Sequence, residues 1–139
     1  MHLREALAPA RPLRVADIGA NPINVPDYAA LLKMGGCEVW GFEPDKDAFD
    51  ALEADPQPNT HFVQRAVGKA GKATFYPHKL SGLGSLYEID KPSVEYLGRP
   101  GWHANQQEGQ PINLIALDAI KDDDMPKPDL LKMDIQGAE

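Results

Sequence analysis

Short apolar, β-branched runs alternate along the chain with stretches whose apolar positions recur at helical spacing. LRVADI at 13–18 is apolar over most of its length and Gly19 ends it, so it reads as a strand buried on both faces. Asn21-Pro22 opens a turn. Asp27 then caps a helix through Tyr28, Leu31 and Leu32, which Gly35-Gly36 stops. CEVWGF at 37–42 is the second strand. Pro44 and Asp45 break it and launch a second helix, with Ala48, Phe49 and Leu52 on its apolar face and Asp47, Asp50 and Glu53 in water. Residues 55–59 form a loop. THFVQRAV at 60–67 alternates as a third strand, and a turn between Gly68 and Gly71 leads to a short strand over 73–76. Residues 77–109 are rich in Gly, Pro, Ser and polar residues, with one helical segment over 93–97; a loop this long in a small domain is usually functional or mobile. INLIAL at 112–117 and DLLKMD at 129–134 are the closing strands. Asp122, Asp123 and Asp124 read as a solvated turn.

Short buried strands separated by helices imply an α/β fold with a mostly parallel sheet and right-handed crossovers. Residues 1–12, interrupted by Pro9 and Pro12, read as a lead-in, and the domain starts at residue 13. A chain of 139 residues buries a single core without staples, and its one cysteine, Cys37, excludes an intrachain disulfide. A net charge of −7 disfavours a nucleic-acid partner. The apolar runs are too short to cross a bilayer and the N-terminus lacks the apolar centre of a secretory signal, so the expectation is a cytoplasmic protein without a membrane partner. His2, His61, His78 and His103 show no metal-ligand spacing, so no metal is expected.

Parallel sheets bind ligands beyond the carboxyl ends of their strands, so the chemistry is sought there. After the first strand comes ADIGAN. Gly19 lets a ligand approach the backbone closely, although such a turn also serves as an ordinary strand-to-helix link. Asn21 stands where a dinucleotide fingerprint would carry its second glycine. After the second strand comes GFEPD. Glu43, 24 positions beyond Gly19, suits both hydroxyls of a ribose, or is a plain surface acid. After the third come Ala66 and Val67, small enough to line an adenine edge. Asp134, Gln136 and Glu139 follow the last strand, close to any reacting group. Tyr87 and Trp102 in the irregular region either contact an acceptor or anchor the loop, and His78 and His103 there either reach an acceptor or are solvated loop histidines.

VADIGAN, VWGFEPD, the RAVG turn, SGLGSL and the terminal LLKMDIQGAE together resemble the FkbM-type methyltransferases, in that order, from about residue 13 to the end. The resemblance implies a Rossmann-like class I methyltransferase fold. It further implies an S-adenosylmethionine-dependent enzyme that methylates a hydroxyl oxygen of a small molecule or sugar. Asp17, Gly19 and Asn21 would lie near the methionine part of the cofactor, Glu43 at the ribose and Ala66 by the adenine. Asp134 would face the methyl-transfer site, where it is either the candidate catalytic base or a structural residue bonded to the crevice backbone. Two positions depart from the family pattern. Pro22-Ile23-Asn24 replaces the usual glycine after GAN, and Gln136 stands where glutamate is frequent.

In the family LKxDxxGAE closes the fourth main strand, so the expectation is a cofactor-binding portion truncated there. The strand ending at Asp134 would then be an unpaired apolar edge, and Leu130, Leu131 and Met133 predict a homodimer through it. Two other function classes compete: a nucleotide- or NAD-binding domain, and a non-catalytic Rossmann-like module retained for assembly.

Overall fold

The computed structural model describes residues 10–80, 82–121 and 125–137. Most of the expected lead-in and the acidic run at 122–124 lie outside the described residues. Strands β1 (Leu13–Ile18), β2 (Cys37–Phe42), β3 (Thr60–Val63) and β7 (Leu130–Met133) form one sheet in the order β3-β2-β1-β7, and every pairing is parallel. A second sheet, ordered β4-β6-β5, contains β4 (Ala66–Val67), β5 (Gly71–Phe75) and β6 (Gln110–Ile115). There β4 runs parallel and β5 antiparallel to β6. The expected α/β, mostly parallel arrangement is therefore present.

Alternation along β1 and β2 sends successive side chains to opposite faces. Val15, Cys37 and Val39 pack under Tyr28 and under Leu31 and Leu32 of α1 (Ala29–Lys33). Ala16, Ile18, Trp40 and Phe42 face the other way, onto Met125, Val67, Ile115, Leu117 and Ile120. With both faces covered, the two strands carry near-continuous apolar sequence, as buried parallel strands do.

The helices follow their caps. In α2 (Lys46–Ala54), Asp45 is extended and its Oδ1 accepts from Ala48 N at 3.0 Å, satisfying one orphan donor of the first turn. In α1 (Ala29–Lys33) the expected cap is displaced by one residue. Tyr28 occupies the N-cap position without a side-chain cap bond, because the turn is closed earlier by Ala29 N donating to the Pro26 carbonyl. Gly35, at φ +69, ends α1 as expected.

Several boundaries differ from the sequence expectation; the strand expected over 73–76, for one, is Gly71–Phe75. The third strand does not run through 60–67. It stops at Val63, where Arg65 N folds back to the Val63 carbonyl, and Ala66–Val67 joins the second sheet against Leu114 and Ile115. The strand expected over 112–117 lies at 110–115, because Leu117–Ala119 tightens into a 3-10 turn. The excursion after β5 holds two short helices, α3 (Lys91–Tyr96) and α4 (Pro100–Ala104). The first covers the expected helical segment and is capped by Asp90, whose Oδ2 accepts from Ser93 N at 2.9 Å. The second was hidden by its Pro100-Gly101 start. Among the described residues, no helix is long and apolar enough to cross a membrane.

Candidate functional site

The register of the parallel sheet sets the site. Ile18 is level with Phe42 and with Met133, and Phe42 is level with Val63. Residues that follow these four positions therefore emerge side by side at the carboxyl edge. One cavity opens there, and its lining includes Gly19, Asn21, Glu43, Ala66 and Asp134. Ile18, Phe42, Val67, Phe75, Leu86 and Ile135 give it apolar walls.

Gly19 has φ +81, and a Cβ on it would collide with the Asp134 carbonyl oxygen. Glycine is thus required twice over, by conformation and by the approach of the β7 turn. Its N–H donates to the Phe42 carbonyl at 2.9 Å, tying the first tip to the second. Asn21 Oδ1 accepts from Ile23 N at 3.2 Å. This Asx-type turn fixes the Pro22-Ile23-Asn24 segment that stands in place of a glycine turn.

Glu43 is only 4% exposed. Its Oε1 accepts from Asp45 N at 2.8 Å. Burial pushes its carboxyl up to about 7, and the Asp45 hydrogen bond offsets only part of that rise. Ala66 is buried at the start of β4, beside the half-buried Val67. Asp134 is exposed. Its N–H continues the ladder to the Ile18 carbonyl at 3.1 Å, and its Oδ1 lies 3.2 Å from Gln136 Nε2.

The family model for the methyltransferase FkbM domain matches residues 17–139. The chain belongs to the FkbM methyltransferase family. No curated protein and no solved structure matches it significantly.

In this FkbM domain, the tips of β1, β2 and β7 and the start of β4 bring together five of the six candidate cofactor and catalytic residues. Asp17 is the exception. It is 2% exposed and lies beneath the tip of β1 rather than on the cavity wall. Tyr28 Oη donates to its Oδ2 at 2.5 Å, and Lys132 Nζ lies 2.8 Å from its Oδ1. That Oδ1 has no directed hydrogen bond among the described residues, so the lysine contact acts as an ion pair. Lys132 Nζ also donates to the Gly19 carbonyl at 3.1 Å. Burial, and then the bond to Asp17, push the Tyr28 phenol above its ordinary range and keep it a donor.

Sequence reasoning assigned no role at the site to Ser85, Lys132 or the Tyr28 hydroxyl, all of which shape it. Ser85 is buried, and its Oγ donates to the Gln136 carbonyl at 2.9 Å while accepting from Tyr87 N at 3.0 Å. It thereby ties the excursion to the turn after β7, where Gln136 takes φ +54 and Gly137 φ +88. His78 is a buried anchor of the excursion. Leu80 N donates to its Nδ1 at 2.9 Å, and its Nε2 lies 2.7 Å from the Trp102 carbonyl. Trp102 is half-buried, with the Arg99 guanidinium 5.3 Å from its ring centre. Tyr87 is 60% exposed. Among the described residues, no group of three His, Cys, Asp or Glu side chains is arranged to hold a metal. The SGLGSL stretch was the available signal for Ser85, and LLKMD for Lys132.

Proposed function

We propose that this FkbM domain binds S-adenosylmethionine across the tips of β1, β2 and β7 and the start of β4 and serves methyl transfer to a hydroxyl oxygen of a small molecule or sugar, within a class I methyltransferase fold. The observation that carries the reading is the shared lining: Gly19, Asn21, Glu43, Ala66 and Asp134 border one cavity. The chemistry of the donor set fits an adenosine. Glu43 is a buried carboxylate at a strand tip, and a pair of vicinal hydroxyls supplies the donors that such a group lacks. Ala66 and Val67 offer a small apolar edge to a purine. Gly19 presents backbone with no side chain in the way.

When bound, S-adenosylmethionine supplies a methyl group on a cationic sulfur, activated for displacement. The chain's own residues then do three things. Glu43 accepts from the ribose hydroxyls and fixes the nucleoside. The Gly19–Asn21 turn receives the methionine part. The Asp134 carboxylate would take the proton from the acceptor hydroxyl, and the cofactor would supply the methyl group and, as its carbon–sulfur bond breaks, a neutral thioether as leaving group. Most of the acceleration comes from holding the two reactants in line, with the base adding about 10²–10⁴-fold.

Calorimetry with S-adenosylhomocysteine and with NAD tests the reading. Binding of the first and not the second is the expected result. Binding of NAD transfers the site to redox chemistry, and binding of neither leaves a module for assembly.

A further inference from the structure

We propose that Lys132, Asp17 and Tyr28 form a charge-balanced brace that positions the Gly19 turn for the cofactor, with Asp17 acting through Lys132 rather than on the ligand. The inference rests on the proposed cofactor site and reassigns one of its expected contacts. Asp17 is level with Lys132 in the β1–β7 register, so the pair is built into the sheet. The carboxylate is 2% exposed and faces the side of the sheet that carries Val15 and Tyr28. Both of its oxygens are engaged, Oδ2 by the Tyr28 hydroxyl and Oδ1 by the lysine.

Lys132 has a second contact, and that contact gives the pair a function. Its Nζ donates to the Gly19 carbonyl at 3.1 Å while lying 2.8 Å from Asp17. The ammonium therefore bridges a fixed buried anion and the backbone of the turn that lines the cavity. Gly19 is confined from the other side by the Asp134 carbonyl and by Ile135 Cγ2. A turn held this way has one arrangement, and a preorganised wall spares the ligand the cost of ordering it. Removing one charge of the pair leaves the other buried and uncompensated, whereas removing both as neutral residues of similar size does not. If Asp17 acts through Lys132, its loss costs no further affinity once Lys132 is gone, whereas a ligand contact of its own costs as much again.

The test is calorimetry with S-adenosylhomocysteine on four proteins: wild type, Lys132→Met, Asp17→Asn and the double variant. Circular dichroism sets a temperature at which each is folded. The expected result is a loss of affinity of about tenfold or more in Lys132→Met, with the double variant within about threefold of Lys132→Met, because Asp17 has nothing left to act through. Lys132→Arg, which keeps the charge, retains most of the affinity. A double variant whose loss is the sum of the two single losses overturns the inference by placing Asp17 on the ligand. Single variants that lower the melting temperature but leave affinity intact overturn it by making the cluster purely structural. A wild type that binds no S-adenosylhomocysteine removes the cofactor reading and the brace with it, whereas binding by wild type with the wrong variant pattern removes only the brace.

Discussion

Burial holds the Glu43 carboxyl at about 7, so near neutral pH it is divided between acid and carboxylate. The sign of the consequence follows from proton counting. Between its ordinary 4.5 and about 7, the folded chain keeps a proton that the unfolded chain has released. This group's contribution to stability therefore falls as pH rises through that window, and Glu43→Gln removes the dependence. Ligand binding responds in the opposite sense, because an ionised carboxylate is the stronger acceptor for ribose hydroxyls. S-adenosylhomocysteine affinity should rise with pH through about 7 in the wild type and flatten in Glu43→Gln. Glu43→Ala should weaken binding by about 1.5–3 kcal/mol. Calorimetry from about pH 5.5 to about pH 8.5 checks both, and a flat wild-type profile removes Glu43 from the site. Glu43 was legible from sequence because a strand tip is a local property, set by the apolar run before it and Pro44 after it. Lys132 was not legible, because its partner Gly19 lies 113 positions away and only the β1–β7 register brings them together.

At the scale of elements, β7 is an edge of the four-stranded sheet, and Leu130, Leu131 and Met133 on it are each more than 40% exposed. An apolar edge with unpaired backbone groups is a template for another strand. The expected outcome is concentration-dependent self-association. Light scattering across a dilution series checks it, and replacing Leu131 with lysine should return the protein to monomer. A wild type that stays monomeric at high concentration counts against pairing through this edge. The strands and helices that were legible owe their clarity to strong punctuation: Gly19 after β1, Pro44-Asp45 before α2, Gly35-Gly36 after α1. The split of residues 60–67 into β3 and β4 was hidden, since the alternation of side chains continues across Gln64 and Arg65 while the partner strand changes. Helix α4 was hidden for a different reason. Pro and Gly at its start are the residues that normally mark a loop, yet proline is also well suited to the first turn of a helix.

Across the whole molecule, the parallel sheet and the three-stranded sheet share one apolar interior, and the excursion between β5 and β6 is tied back by Ser85 to a turn 51 positions away. The cavity lies where these parts meet. The layered α/β plan was readable from alternation alone, whereas the ties across the cavity were not, because each joins residues distant in sequence. Cys37 adds a consequence of its own. It is the chain's only cysteine, it is fully buried between Val39 and the leucines of α1, and burial pushes its thiol up. A thiol reagent can reach it only when α1 lifts from the sheet, so labelling tracks the open population rather than surface chemistry. Tyr28 precedes α1 and also holds Asp17, so that lifting also strains the turn at Gly19. Saturating S-adenosylhomocysteine should therefore slow labelling several-fold, and an unchanged rate would disconnect the two. The protein thus carries an internal stopwatch at the far end of β2 from Glu43, started by breathing of the helix and slowed by whatever fills the opposite end.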